Sequence, residues 1–263
     1  MRVAVAQHPE PPAGDDRAFV TDNAVIVLDG ASAFTARDVP ASTYADHLGT
    51  TLAGLVDGCE EPLTALLAQA IETTAAALDL TPGGRAPSST VAVVRRREDA
   101  SVDVLVLGDS EVVIPREILR DDRLAPLASA ERTAYRTRLK NGHGYDDEHR
   151  RILAALQAEQ LRHRNVPGGY WIAEADAAAA EHALVRHLSP DEAPWCVLAT
   201  DGAYKPIEYL GLDDWPIVAA ASPERLHALL RRCQDWESTD ERGQQLPRAK
   251  RHDDKTLAAI VPG

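Results

Sequence analysis

Strand-like and helix-like stretches come in blocks along this chain, and that arrangement most restricts how it can fold. Residues 18–20 and 24–28 are short apolar runs separated by Thr21-Asp22-Asn23, a triplet with good turn chemistry, so they predict a hairpin. A Val-rich strand over residues 2–7 precedes it, followed by a Pro-rich loop over 8–14. From residue 41 to 80 the period changes. Tyr44, Leu48, Leu52 and Leu55, then Leu63, Leu66, Leu67, Ile71 and Ala75, recur at helical spacing and predict two helices. A loop over 83–87 leads into strands over 89–95, 102–107 and 111–114. Residues 116–165 are polar, with helical spacing over 130–140 and 148–163, and read as an inserted helical flap. A strand over 170–173, a helix over 175–187, a buried strand over 195–200, a helix over 223–233, a polar loop over 234–251 and a last strand over 256–261 complete the pattern. Such blocks favour an α+β class with antiparallel sheets over a doubly wound fold.

With 263 residues, 44% of them hydrophobic, the chain can bury a large core, and no Ser/Gly-rich linker divides it. A single domain over 1–263 is therefore expected. Lys and Arg number 28 against 41 Asp and Glu, a formal charge of −13, which argues against nucleic acid as a partner. Neither a membrane-length apolar run nor a secretory signal is present, so a cytoplasmic, monomeric protein is expected. Cys59, Cys196 and Cys233 form neither a CxxC pair nor an even disulfide framework and are expected to be thiols.

The acids sit at informative positions. Asp16 precedes the first strand of the hairpin and Asp29 follows the second, so antiparallel pairing puts both at one end. Asp201 follows a strand and Asp253 precedes the last one; if those two strands pair antiparallel, their acids also share an end. Four converging carboxylates need neutralising, and hard divalent cations with oxygen ligands do that. Without convergent Cys or His, the donor set points away from zinc and toward magnesium or manganese.

The ordered series Asp15-Asp16-Arg17, Val27-Leu28-Asp29-Gly30, Ser88-Ser89-Thr90, Leu107-Gly108-Asp109-Ser110, Ala199-Thr200-Asp201-Gly202 and Asp253-Asp254-Lys255-Thr256 resembles the signature set of PPM-type (type 2C) metal-dependent Ser/Thr protein phosphatases. Gly168-Gly169-Tyr170-Trp171 is similar to a stretch in actinobacterial members. The resemblance implies two packed antiparallel β-sheets flanked by helical layers, an αββα sandwich with two metal ions in a cleft at one end. It implies that Asp29 bridges both ions, that the Gly30 carbonyl binds the second, and that Asp201 and Asp253 bind the first. Asp16 is similar to the acid that holds metal-bound water, with Asp15 where the family usually has Glu, and Asp109 resembles an acid of a third, weaker metal site. The implied reaction is attack by a metal-bridging hydroxide on phosphoserine or phosphothreonine of a phosphoprotein, opposing a Ser/Thr kinase.

Three positions depart from the pattern. Ala31 stands where eukaryotic members have a proton-donating His, and Pro11 where a phosphate-clamping Arg is usual. Lys205 stands where the family often has a third-metal carboxylate; its charge disfavours that ion and makes it a candidate to meet the substrate phosphate instead. Arg17 is the other candidate clamp, and His252, beside Asp253, a candidate proton shuttle. Two other readings compete: a non-enzymatic regulator with the same fold that binds a phosphoprotein, and a serine esterase built on Gly108-Asp109-Ser110 with His252, whose strand-to-strand setting is wrong for such a nucleophile.

Overall fold

A computed structural model describes residues 1–31, 39–83 and 86–262. Residues 84 and 85 of the expected 83–87 loop lie outside the described residues. Among the described residues, ten strands form two wholly antiparallel sheets. The first sheet orders β1 (Arg2–His8), β10 (Lys255–Val261), β9 (Cys196–Ala199), β6 (Glu111–Ile114) and β7 (Glu117–Arg120). The second orders β2 (Arg17–Val20), β3 (Ala24–Leu28), β4 (Val91–Arg96), β5 (Val102–Leu107) and β8 (Leu184–Leu188).

The sheets pack face to face through Val25, Val27, Val94 and Val104 on one side and Val112, Leu198, Ala258 and Ile260 on the other. The outer face of the second sheet is covered by α1 (Ala41–Val56) and α2 (Leu63–Ala77), whose Tyr44, Leu48, Leu67 and Ile71 meet Ile26, Leu28, Leu105 and Leu107. The outer face of the first is covered by α5 (Asp201–Tyr209), α6 (Trp215–Ala219) and α7 (Pro223–Thr239) through Ile207, Trp215, Leu226 and Leu230. This αββα sandwich explains why β3 and β5 are apolar at nearly every position: both faces of a central strand are covered, so alternation has no purpose. Each fully buried Leu, Ile or Val there contributes about 1.5–3 kcal/mol relative to exposure. The three cysteines are free thiols, Cys196 and Cys233 buried.

The flap helices are α3 (Ser129–Lys140) and α4 (Asp147–Leu161), joined by Tyr135, Leu139, Leu153 and Leu156 into a small cluster of their own. Asp146 caps α4 by accepting the His149 amide at 2.9 Å.

Several local expectations are corrected. The helix expected over 175–187 is a 3-10 turn, Ala177–His182, followed by β8. Four consecutive alanines carry no strong stripe, and the open edge of β5 recruits the Val-containing segment as a strand. Residues 170–173 make only single bridges, Arg164 with Tyr170 and Ser89 with Ala173. Glu117–Arg120, inside the span assigned to the flap, is β7 and pairs with β6. The polar run after 233 continues α7 to Thr239. Asp201-Gly202, which follows the buried strand, opens α5, a helix not expected from the sequence because Gly202 and Pro206 are weak helix formers.

One buried charge cluster ties the second sheet laterally. Arg95 on β4 is fully buried and stands directly opposite Asp103 on β5, which in turn faces His187 on β8. Its guanidinium donates to Asp103 Oδ2 at 2.6 Å and to the Cys59 carbonyl at 2.8 Å. Burial opposes ionisation of Asp103, but hydrogen bonds from Arg95, His187 and Arg97 outweigh it and hold the carboxyl below its ordinary range. Asp103→Ala strands the Arg95 charge and should cost about 3–5 kcal/mol in urea unfolding at neutral pH. Because the folded carboxyl is the stronger acid, its stabilisation is complete above the ordinary carboxylate pKa and is lost as pH falls through the folded value. The gap between wild type and variant should therefore narrow in acid; a gap constant from pH 7 to pH 3 would contradict this account.

Candidate functional site

The ends of four strands bring the acids together. In the register of β2 and β3, Arg17 faces Leu28, which sets Asp16 and Asp29 at one end of the second sheet. In the register of β9 and β10, Ala199 faces Leu257, which sets Asp201 and Asp253 at one end of the first. Asp16 joins the two sheets: the hydroxyls of Thr200 and Thr256 donate to its Oδ2 at 2.9 and 2.8 Å. Its Oδ1 is buried and has no hydrogen-bond partner among the described residues. Asp29 is held by the Ser88-Ser89-Thr90 segment, its amide donating to Thr90 Oγ1 at 3.2 Å and its carbonyl accepting from the Thr90 amide at 2.9 Å. Two glycines allow the close approach. A Cβ at Gly202 would lie 1.9 Å from the Asp254 carbonyl, and one at Gly30 would lie 2.8 Å from the Asp15 carbonyl.

Crowding shows in the acidities. Burial, followed by repulsion from Asp16, Asp201, Asp253 and Asp109, pushes the Asp29 carboxyl well above the usual range. Burial raises Asp16 to about 8 despite its two hydroxyl donors. Asp109 is raised to about 6 by burial and by Asp201, with Lys205 and Arg132 among the opposing influences. Asp201 departs from this trend: burial opposes its ionisation, but Lys205, joined by Lys250 and a hydrogen bond with Asp29, outweighs burial and holds the carboxyl low. Lys205 Nζ is bonded to Asp201 Oδ2, and Lys250 Nζ donates to Asp253 Oδ1 at 2.7 Å.

Asp29, Asp109, Asp201 and Asp253, with Lys205 and Lys250, line a cavity of about 700 Å³, within the range of ligand pockets, whereas Asp16 lies outside its lining. Its roof is the flap, contributing Arg132, Arg136, Leu156 and Gln160, and its far wall is the 246–250 segment. Lys205 thus reaches the cavity, but its ammonium is engaged by Asp201. Arg17 does not serve as a clamp there, because its guanidinium is occupied by Asp46 and by the carbonyls of Gly14 and Asp16, bracing the loop that carries Asp16. His252 bonds Glu237 at 3.2 Å. Ser110 is fully buried with its hydroxyl 2.6 Å from Thr90 Oγ1, which removes the esterase reading. Of the Gly168–Trp171 stretch, Tyr170 lines the cavity while Trp171 stacks on His182.

The donor chemistry fits hard divalent cations: the orphaned Asp16 oxygen and the crowded Asp29 carboxyl both require positive charge. Among the described residues, however, no three His, Cys, Asp or Glu side chains form a ready cation cage. Two of the acids are engaged by lysines instead. Thr200, Thr256, Lys250 and Arg132 were not singled out from the sequence; only the position of the two threonines beside Asp201 and within the Asp-Asp-Lys-Thr block carried a signal. A cation that reaches Asp201 and Asp253 must displace two ammonium groups. Lys205→Ala and Lys250→Ala should each tighten manganese binding at least about threefold by titration calorimetry, since removing an adjacent like charge favours the cation. Unchanged or weaker binding in both variants would contradict the competition.

No protein-family model matches this chain, and no curated protein matches it. Solved structures do. The PPM Ser-Thr phosphatase MsPP from Mycobacterium smegmatis, in complex with cacodylate, aligns over 98% of this chain and 97% of its own, with a TM-score of 0.54 and 15% identity. The photosystem II phosphatase PBCP aligns over 100% of both chains, with a TM-score of 0.56 and 12% identity. The catalytic domain of serine threonine protein phosphatase PstP, in complex with 2 manganese ions, aligns over 98% of this chain and 96% of its own, with a TM-score of 0.50 and 16% identity. With two five-stranded antiparallel sheets between helical layers, and acids gathered at one end of the sandwich, the chain has the fold of the PPM-type Ser/Thr phosphatases.

Proposed function

We propose that this protein is a metal-dependent phosphoprotein phosphatase that hydrolyses phosphoserine or phosphothreonine, reversing the action of a Ser/Thr kinase. The convergence of Asp16, Asp29, Asp201 and Asp253 at one end of the sandwich carries this reading. The manganese ions of the PstP structure support the choice of magnesium or manganese. In this reading Asp29, Asp16, Gly30, Asp201 and Asp253 hold two cations, with Asp109 beside them and Lys205 disfavouring a third. When bound, such ions would lower the pKa of water and neutralise charge on the phosphoryl group. The protein's own contribution is positional. Thr200 and Thr256 orient Asp16, Thr90 orients the Asp29 backbone, and the flap roofs the cavity so that the phosphoryl group meets few competing waters. The chain is read as a monomeric, cytoplasmic single domain whose flap selects the partner; no helix among the described residues is long and apolar enough to cross a membrane.

A second reading is favoured by one observation. The lysines on Asp201 and Asp253 already supply positive charge, which suits a regulator that binds a phosphoprotein without turnover. Purified protein with manganese should hydrolyse para-nitrophenyl phosphate and a phosphothreonine peptide. Asp29→Asn or chelation should reduce the rate by about a thousandfold or more, the scale expected when charge stabilisation of the transition state is lost. Peptide binding without metal-dependent turnover would establish the regulator in its place.

A further inference from the structure

The cations lining the cavity are not equivalent. Lys205 is bonded to Asp201, Lys250 to Asp253, Arg164 to Glu174 at 3.2 Å and Arg248 to Asp240 at 2.8 Å. Arg132 and Arg136, one turn apart on the roof helix α3, have no ion pair among the described residues. Among the described residues Arg132 makes one long hydrogen bond, 3.3 Å to the Leu124 carbonyl, and its buried Nε has no partner. Arg136, four residues after Arg132 and so on the same face of α3, has its guanidinium 5.9 Å from the centre of the Tyr135 ring. Like charges at this spacing destabilise a helix slightly, and an unsatisfied buried nitrogen costs more. An anion between roof and floor would relieve both.

The roof is also fastened. His149 Nε2 lies 2.8 Å from the Ala249 carbonyl, and Arg248 sits over the Tyr145 ring at 5.9 Å, so α3 and α4 are tied to the segment that leads to Asp253. A cation on such a platform is held in place above the acids. Among the described residues, the lysines beside those acids are both paired, Lys205 with Asp201 and Lys250 with Asp253.

We propose that Arg132, assisted by Arg136, is the phosphoryl-binding grip of this cavity, supplied from the flap. A guanidinium fork matches two phosphoryl oxygens at once, which a lysine ammonium does not. The inference rests on the phosphatase reading only in taking the anion to be a phosphoryl group.

Binding of inorganic phosphate is measured by calorimetry, with and without manganese, beside a thermal melt of each variant. Arg132→Gln should weaken phosphate at least about tenfold in whichever condition the wild type binds, as expected for loss of charge-assisted hydrogen bonds. Arg132→Lys should recover part of that loss, and Arg136→Ala should weaken phosphate less than Arg132→Gln. Arg151→Ala removes an equal charge from the exposed outer face of α4 and should leave binding unchanged. The grip is overturned if wild type binds no phosphate in either condition, if Arg132→Gln binds like wild type, or if Arg151→Ala weakens binding as much. Phosphate binding that depends on Arg132 but comes with no turnover would overturn the phosphatase reading alone. Metal-dependent turnover with phosphate binding indifferent to Arg132 would overturn the grip alone.

Discussion

One carboxylate oxygen, Oδ2 of Asp16, joins the two sheets at the end where the acids gather. Asp16 enters with the second sheet, while its donors Thr200 and Thr256 belong to the first. The Thr256 amide also donates to Thr200 Oγ1 at 3.0 Å, which orients the Thr200 hydroxyl toward the carboxylate. Sheet packing by apolar side chains alone tolerates small slides. A buried acceptor with two donors does not, because each hydrogen bond weakens with distance and angle. The spacing of Asp29 from Asp201 and Asp253 depends on that join.

The same junction concentrates negative charge, and the protein manages it unevenly. Asp16 and Asp29 are left to rise in pKa, whereas Asp201 and Asp253 are neutralised by Lys205 and Lys250. Lys205 follows its partner by one helical turn of α5, and Lys250 precedes its own by three residues, so both pairs are local in sequence. Local pairs of partly exposed groups are weak and exchangeable. That suits a place where a stronger cation can compete, and it equally suits one where the lysines stay.

The flap adds an upper wall to a cleft that the sandwich alone leaves open. Its helices bury only a small cluster, and their anchoring comes from polar and aromatic contacts with residues 242–249. The chain after Asp240 is drawn into this tie because Asp240 accepts from Arg248 and from the amides of Gln245 and Leu246. The flap is thus coupled to the segment that ends on Asp253.

Much of this was legible without coordinates. The acids at the strand ends could be placed because antiparallel pairing dictates which ends coincide, and the motif order supplied the sandwich. Less legible were β8 and α5, whose local propensities are weak and whose form depends on an open strand edge and on the packing of the first sheet. The function of each cation could not be read either. Arg17, Lys205 and Arg132 are equally basic in sequence, yet one braces a loop, one neutralises an acid and one faces the cavity unpaired. By itself the sequence determined the α+β class and the set of carboxylates, since hydrophobic period and the placing of acids at strand ends are read locally along the chain. The two-sheet layering came through the resemblance of its motifs. Only the tertiary structure decided which cations remain free above them, because ion pairing depends on distances between segments far apart in the chain.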